Sequence, residues 1–82
     1  MELSRACTIL EENIGLWLYG ETPHFKVVVF YRPHWKWGVR LRRGNDSTLM
    51  HCNMDGEIKH YHPKFCPDIS DILARDYEVK HV

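Results

Sequence analysis

The sequence predicts an α+β domain: a small antiparallel β-sheet with a short N-terminal helix, and a short C-terminal helix followed by a closing strand. Three observations predict it. Residues 3–12 space their apolar side chains at helical intervals, and the middle of the chain alternates with a period of two between turn signals. Towards the end, an Asp-capped apolar stripe precedes a second alternating segment. The 82 residues are read as a single domain, 1–82. Hydrophobic residues at 44% and charged residues at 27% argue against a disordered chain.

Taken in order, Leu3, Ala6, Cys7 and Leu10 form the apolar stripe of the first helix, with Glu2, Arg5, Glu11 and Glu12 opposite. Ile14 to Tyr19 is apolar on both alternating sets and stops at the breaker group Gly20-Glu21-Thr22-Pro23, which predicts a strand buried on both faces. Phe25 to Arg32 is β-branched and aromatic, and Pro33 ends it because proline cannot donate to a sheet ladder. Trp35 to Arg42 then places Trp35, Trp37, Val39 and Leu41 on a core face and Lys36, Gly38, Arg40 and Arg42 on a cationic one. Gly44-Asn45-Asp46 reads as a turn and Ser47 to Asn53 as a strand.

Asp55-Gly56 is a two-residue hairpin signal, with Glu57 to His62 as the return strand. That register pairs Asn53 with Ile58, Cys52 with Lys59 and His51 with His60. Pro63 and Pro67 mark an extended connection, after which Asp68 caps a short helix expected to carry Ile69, Ile72 and Leu73 inward. Tyr77, Val79 and His81 alternate with Glu78, Lys80 and Val82 in the closing strand.

No apolar run approaches the roughly 20 residues of a bilayer span. The opening Met1-Glu2-Leu3-Ser4-Arg5 has an acid at position 2 and no apolar run, so no secretory signal is expected. Three cysteines, at 7, 52 and 66, fit free thiols in a reducing cytoplasm. A domain this small buries only about 60 to 65% of its unfolded surface, so a homo-oligomer is expected.

The net charge is zero, but its distribution is uneven. Residues 1–21 carry four acids and one base, 22–45 carry six bases and no acid, and 46–82 carry seven acids and four bases. A cationic middle interleaved with aromatic rings suits a phosphate-bearing ligand with a flat base. It equally suits a solvated edge strand whose charges deter aggregation.

Cys52, His60, His62 and Cys66 have the residue types of a zinc site, but the hairpin register turns Cys52 away from the histidines. His51, His60 and His62 then share a face, a weaker metal pattern than a His-rich solvated hairpin, and no metal is expected. No nucleophile, acid pair or phosphate-cradling glycine loop supports catalysis. Asn53 reads most simply as a turn residue. Asp76, an acid at a helix C-terminus, is opposed by the helix dipole and invites a reason such as a ligand hydroxyl, an amide or a salt bridge.

The segments Asp55-Gly56-Glu57-Ile58 and Asp71-Ile72-Leu73-Ala74-Arg75-Asp76-Tyr77-Glu78-Val79 resemble a phage protein family. Its members end in an Asp-Gly turn, a polar connection, then Asp-hydrophobic-Leu-Ala-acid-Asp-Trp-Glu-hydrophobic. The pattern is similar to that of the second Thoeris anti-defence family, small proteins that sequester cyclic nucleotide immune signals. Arg75 stands where the family has an acid and Tyr77 where it has Trp; near Gly20 the neighbours are Leu18, Tyr19 and Glu21 rather than a basic residue and Gly-Trp.

The resemblance implies a non-enzymatic homo-oligomeric sponge that binds cyclised ADP-ribose or a cyclic dinucleotide between protomers without cleaving it and without a cofactor. On this reading Trp17, Trp35 and Trp37 offer stacking surfaces, Arg40 and Arg42 hold phosphate, and Asn53 and Asp76 hydrogen-bond ribose or base. Two other readings stand beside it. One is a small phage inhibitor that docks on a host protein or nucleic acid through its aromatic and cationic surface. The other is a phosphodiesterase dependent on His60 or His62.

Overall fold

The computed structural model describes residues 1–12, 27–42 and 46–82. The expected strand from Ile14 to Tyr19 with Trp17, the breaker Gly20 to Pro23, and Gly44-Asn45 lie outside the described residues. Helix α1 spans Leu3–Glu11, followed by strands β1 Val28–Tyr31, β2 Gly38–Leu41 and β3 Leu49–Cys52, helix α2 Ile69–Leu73 and strand β4 Glu78–His81. The strands form one antiparallel sheet in the order β3-β2-β1-β4, so the chain leaves one edge at β3 and returns through α2 to the other. The class is the one the sequence predicts.

The two central strands are apolar because both of their faces are covered. Helix α1 lays its expected stripe on one face: Ala6 and Leu10 are buried with Val28, Phe30, Val39, Leu41 and Tyr77, and Leu3 and Cys7 are half-buried at the margin. Each large aliphatic or aromatic side chain taken out of water here contributes about 1.5–3 kcal/mol. On the opposite face, Val29, Gly38, Arg40 and Cys52 are buried. Backbone hydrogen bonds between Val27 and Val82 extend the β1–β4 pairing, and a Cβ on Gly56 would touch Val82 and Val27. The turn from Asn53 to Glu57 therefore folds over this second face.

Arg40 ties that turn down. Its guanidinium, only 9% of the residue being exposed, donates from Nη1 to the Gly56 carbonyl at 2.7 Å and from Nε to the Leu41 carbonyl at 2.9 Å. A buried cation is costly unless hydrogen-bonded, and two carbonyls supply that here. The cationic face expected for β2 is thus divided. Lys36 and Arg42 are exposed, Arg42 against Asp46, whereas Gly38 and Arg40 are interior.

Four further expectations are corrected. The Asp55-Gly56 hairpin has three loop residues rather than two: Gly56 N–H donates to the Asn53 carbonyl, Asn53 N–H donates to the Glu57 carbonyl, and Gly56 takes φ 86°. Glycine serves as the left-handed third residue of the loop, which shifts the register by one. No return strand forms over Glu57 to His62; a second turn between Lys59 and His62 consumes it. The segment that pairs with β3 is Pro63 to Phe65, through His51 N–H to Pro63 O and Phe65 N–H to Leu49 O.

Trp35 and Trp37 precede β2 instead of lying within it. Pro33 occupies the second position of a turn closed by Trp35 N–H on the Arg32 carbonyl at 2.9 Å, and regular pairing starts at Gly38. Their face is nonetheless as expected, both packing on the core with Val39 and Leu41.

Helix α2 has the expected cap, Asp68 Oδ1 accepting from Asp71 N–H at 2.9 Å, but its stripe points the other way. Ile69, Ile72 and Leu73 are exposed, whereas Asp71 and Ala74 face inward. The cause is polar: Arg32 Nη1 donates to Asp71 Oδ1 at 2.9 Å, and the Tyr77 hydroxyl donates to the Asp71 carbonyl at 2.7 Å, so the Asp71 side of the helix is drawn to the sheet.

At Gly38 a Cβ would lie 2.3 Å from Val29 Cγ1, a buried branched side chain with little room to yield. Gly38→Ala is expected to cost about 1–3 kcal/mol by overpacking, on the order of 10 °C in Tm. Combining it with Val29→Ala removes the obstructing methyl, so the pair should cost less than the sum of its parts in thermal or urea unfolding.

Candidate functional site

Where the core face of β2 meets the turn before it, three flat rings stack. Trp35 and Trp37 lie with centroids 4.1 Å apart and planes at 17°, and Trp37 and His51 lie 4.1 Å apart at 11°. The placement follows from register. His51 pairs with Val39 across β2 and β3, and Trp37 precedes Val39 by two residues, so both side chains emerge on one face as diagonal neighbours. Phe65, carried by the segment paired with β3, packs 6.0 Å from Trp35 and 5.9 Å from His51. Phe30 and Tyr77 complete the cluster edge-on, Tyr77 lying 5.6 Å from Phe30 and 5.7 Å from Trp35.

Both faces of Trp37 are occupied, so the ladder presents ring edges to solvent. Neither Trp35 nor Trp37 has a hydrogen-bond acceptor for its indole N–H among the described residues, and no buried side-chain polar atom there lacks a partner. The two N–H groups therefore face water as donors. Lys36, between the two tryptophans in the chain, is exposed, as is His34, whose ring lies 6.4 Å from Trp35. His51 is held below its ordinary pKa, first by burial and second by the charge of His62, which favours a neutral imidazole within the stack. The arrangement offers stacked rings and two indole donors at one surface, with the exposed Lys36 adjacent to them in the chain.

Of the seven residues expected to bind a ligand, six lie among the described residues; the structure brings Trp35 and Trp37 into contact and engages Arg40, Arg42, Asn53 and Asp76 in other contacts. Arg40 is on the opposite face of the sheet, committed to Leu41 and Gly56. Arg42 donates from Nε to Asp46 Oδ2 at 2.9 Å, and Asp46 also accepts from Thr48 N–H at 2.8 Å. Those contacts, Thr48's foremost, hold the Asp46 carboxyl down at about 2. Asn53 is a turn residue, bonded through its backbone to Gly56 and Glu57.

Asp76 has a salt bridge as its reason: Arg32 Nε donates to its Oδ1 at 2.8 Å while the same guanidinium holds Asp71. The Arg32 hydrogen bond, first among its causes, keeps the Asp76 carboxyl below the usual range. Trp17 lies outside the described residues.

The histidines do not gather. His62 Nδ1 accepts from Lys59 N–H at 2.8 Å, His60 is exposed beside Tyr61, and His51 belongs to the ladder. Among the described residues no group of three or more His, Cys, Asp or Glu is placed to hold a metal ion. Burial pushes the Cys52 thiol up to about 11 and also raises Cys7, so both stay protonated and poorly nucleophilic near neutral pH.

Sequence reasoning weighed His51 only as a metal ligand and passed over Arg32 and Phe65. The signal for His51 was its alternation with Leu49 on the core face. Among the described residues no helix is long and apolar enough to cross a membrane. No protein-family model, curated protein or solved structure matches the chain.

Because the folded state lowers the pKa of His51, the unfolded chain takes up this proton first as pH falls. The stability linked to His51 is complete above about pH 6.5 and is lost as pH drops through the folded value. His51→Phe, which keeps a flat ring in the ladder, is expected to lose less Tm than the wild type between about pH 7.5 and 5.5. An equal loss in both would show that His51 does not carry the effect.

Proposed function

We propose that the protein acts by binding without chemistry, as a phage anti-defence protein that sequesters a cyclic nucleotide-type immune signal, either cyclised ADP-ribose or a cyclic dinucleotide. The observation that carries this reading is the ladder of Trp35, Trp37 and His51 with solvent-facing indole donors and the exposed Lys36. Ring edges with fixed donors suit the edge of a flat base, and an exposed ammonium on the same short segment suits phosphate.

The resemblance of Asp71 to Val79 to the second Thoeris anti-defence family points the same way. That stretch is tied to the ladder, since Tyr77 packs on Trp35 while Asp71 and Asp76 grip Arg32, three residues before Trp35. Phosphate contact is reassigned from Arg40 and Arg42, which are committed within the fold, to Lys36. The same commitment weakens the nucleic-acid alternative, which needs several free cations along one face.

A thermal-shift titration of ligand-stripped protein against cyclised ADP-ribose isomers and cyclic di- and trinucleotides tests the reading. Ligand at 100 times its Kd adds about 2.7 kcal/mol, on the order of 10 °C or more for a domain of this size. Lys36→Ala should reduce the shift while leaving the Tm of the free protein unchanged, and the nucleotide should be recovered intact after heating. No shift with any nucleotide, or recovery of cleaved product, would contradict it.

A further inference from the structure

The stretch between the Gly56 turn and α2 is tied down by a short series of hydrogen bonds, and one of them differs in kind from the rest. In the turn over residues 59–62, His62 N–H donates to the Lys59 carbonyl at 3.0 Å, and His62 Nδ1 accepts from Lys59 N–H at 2.8 Å. Directly after it, residues 63–65 lie along β3, with His51 N–H on the Pro63 carbonyl at 3.0 Å and Phe65 N–H on the Leu49 carbonyl at 2.9 Å. Three of these acceptors are backbone carbonyls, which do not titrate. The fourth is an imidazole nitrogen, and an imidazole ordinarily changes charge near pH 6.5.

An Nδ1 that accepts from an amide carries no proton. Once protonated it is a donor facing a donor, and the bond to Lys59 N–H is lost. The surroundings do not offset the new charge. Strand β3 presents His51, on which the charge of His62 acts, and the segment itself presents Lys59, His60, Tyr61 and Lys64. The acids of the preceding turn are engaged: Glu57 lies 2.6 Å from the Lys59 ammonium, and Asp55 accepts from Glu57 N–H at 3.3 Å. Among the described residues no carboxylate lies within ion-pair distance of His62.

We propose that residues 59–62 form a pH-operated latch: protonation of His62 opens the turn, frees residues 63–65 from β3 and withdraws Phe65 from the aromatic cluster. Phe65 is what the latch holds in place. Its ring packs 5.5 Å from Phe30, 6.0 Å from Trp35 and 5.9 Å from His51. Two backbone hydrogen bonds are little to retain a three-residue strip once the turn before it is lost, because short surface segments open locally well below the cost of global unfolding. The inference concerns how the cluster is packed and not what it binds, so it fails separately from the nucleotide reading.

Nitrogen-15 NMR of the full chain from about pH 8 to pH 5 tests the proposal. Ring nitrogen signals follow each histidine separately, and amide hydrogen exchange, corrected for its intrinsic pH dependence, follows the strip. Protection of the His51 and Phe65 amides should fall about tenfold or more in step with the His62 titration, while the amides of Val29 and Phe30 in β1 keep theirs. His62→Asn offers a carbonyl oxygen in place of Nδ1 and does not titrate, so its protection should stay constant over the same range. Protection that is unchanged through the His62 titration, or that falls with His51 instead, would overturn the proposal. So would an equal fall in His62→Asn; if that variant is loose at every pH, the wild-type titration decides alone.

Discussion

The hydrogen bond from Arg40 to the Gly56 carbonyl governs how this short chain closes. Strands β1 and β2 are buried on both faces, yet among the described residues one helix covers only one of them. Among the described residues the second face is met by a turn, and a turn has little apolar surface with which to hold itself in place. A charged side chain rising from the middle of β2 binds the carbonyl of Gly56, which has a left-handed backbone, and Gly56 settles against Val27 and Val82. Val29 and Cys52 on this face are buried. A cation used in this way is no longer available to a ligand.

The same economy runs through the other charges. Arg32 grips Asp71 and Asp76, and in doing so orients α2 and fixes the path into β4. Arg42 is matched with Asp46 in the connection to β3. Part of the basic middle is thereby matched to acids of the C-terminal half. Among the described residues, the aromatic ladder and an aliphatic stripe on α2 are left outside these pairings. The two lie on different elements.

Much of the fold was legible because the relevant interactions are local. The helical spacing of Leu3, Ala6 and Leu10, the Asp68 cap, the stop at Pro33 and the alternation through Val39 and Leu41 all act within a few residues. What was not legible depends on contacts distant in sequence. The inward turn of Asp71 follows from a residue 39 positions away, and the burial of Arg40 from one 16 positions away. The hairpin register turned on whether Gly56 is the second or the third loop residue, which the Asp-Gly pair alone leaves open. At the site, periodicity put Trp35 and Trp37 on the correct face, but which cations are free is decided only once the acids have found their partners.

On the proposed reading, ligand is held at the Trp35–Trp37–His51 edge rather than by Arg40 and Arg42. Nitrogen-edited NMR of the labelled protein, titrated with cyclised ADP-ribose isomers and cyclic dinucleotides, observes each group separately. The account predicts that one ligand class moves the indole N–H signals of Trp35 and Trp37 and leaves the Arg40 Nε–H signal in place. Movement of the Arg40 and Arg42 signals with the two indoles unmoved would contradict it.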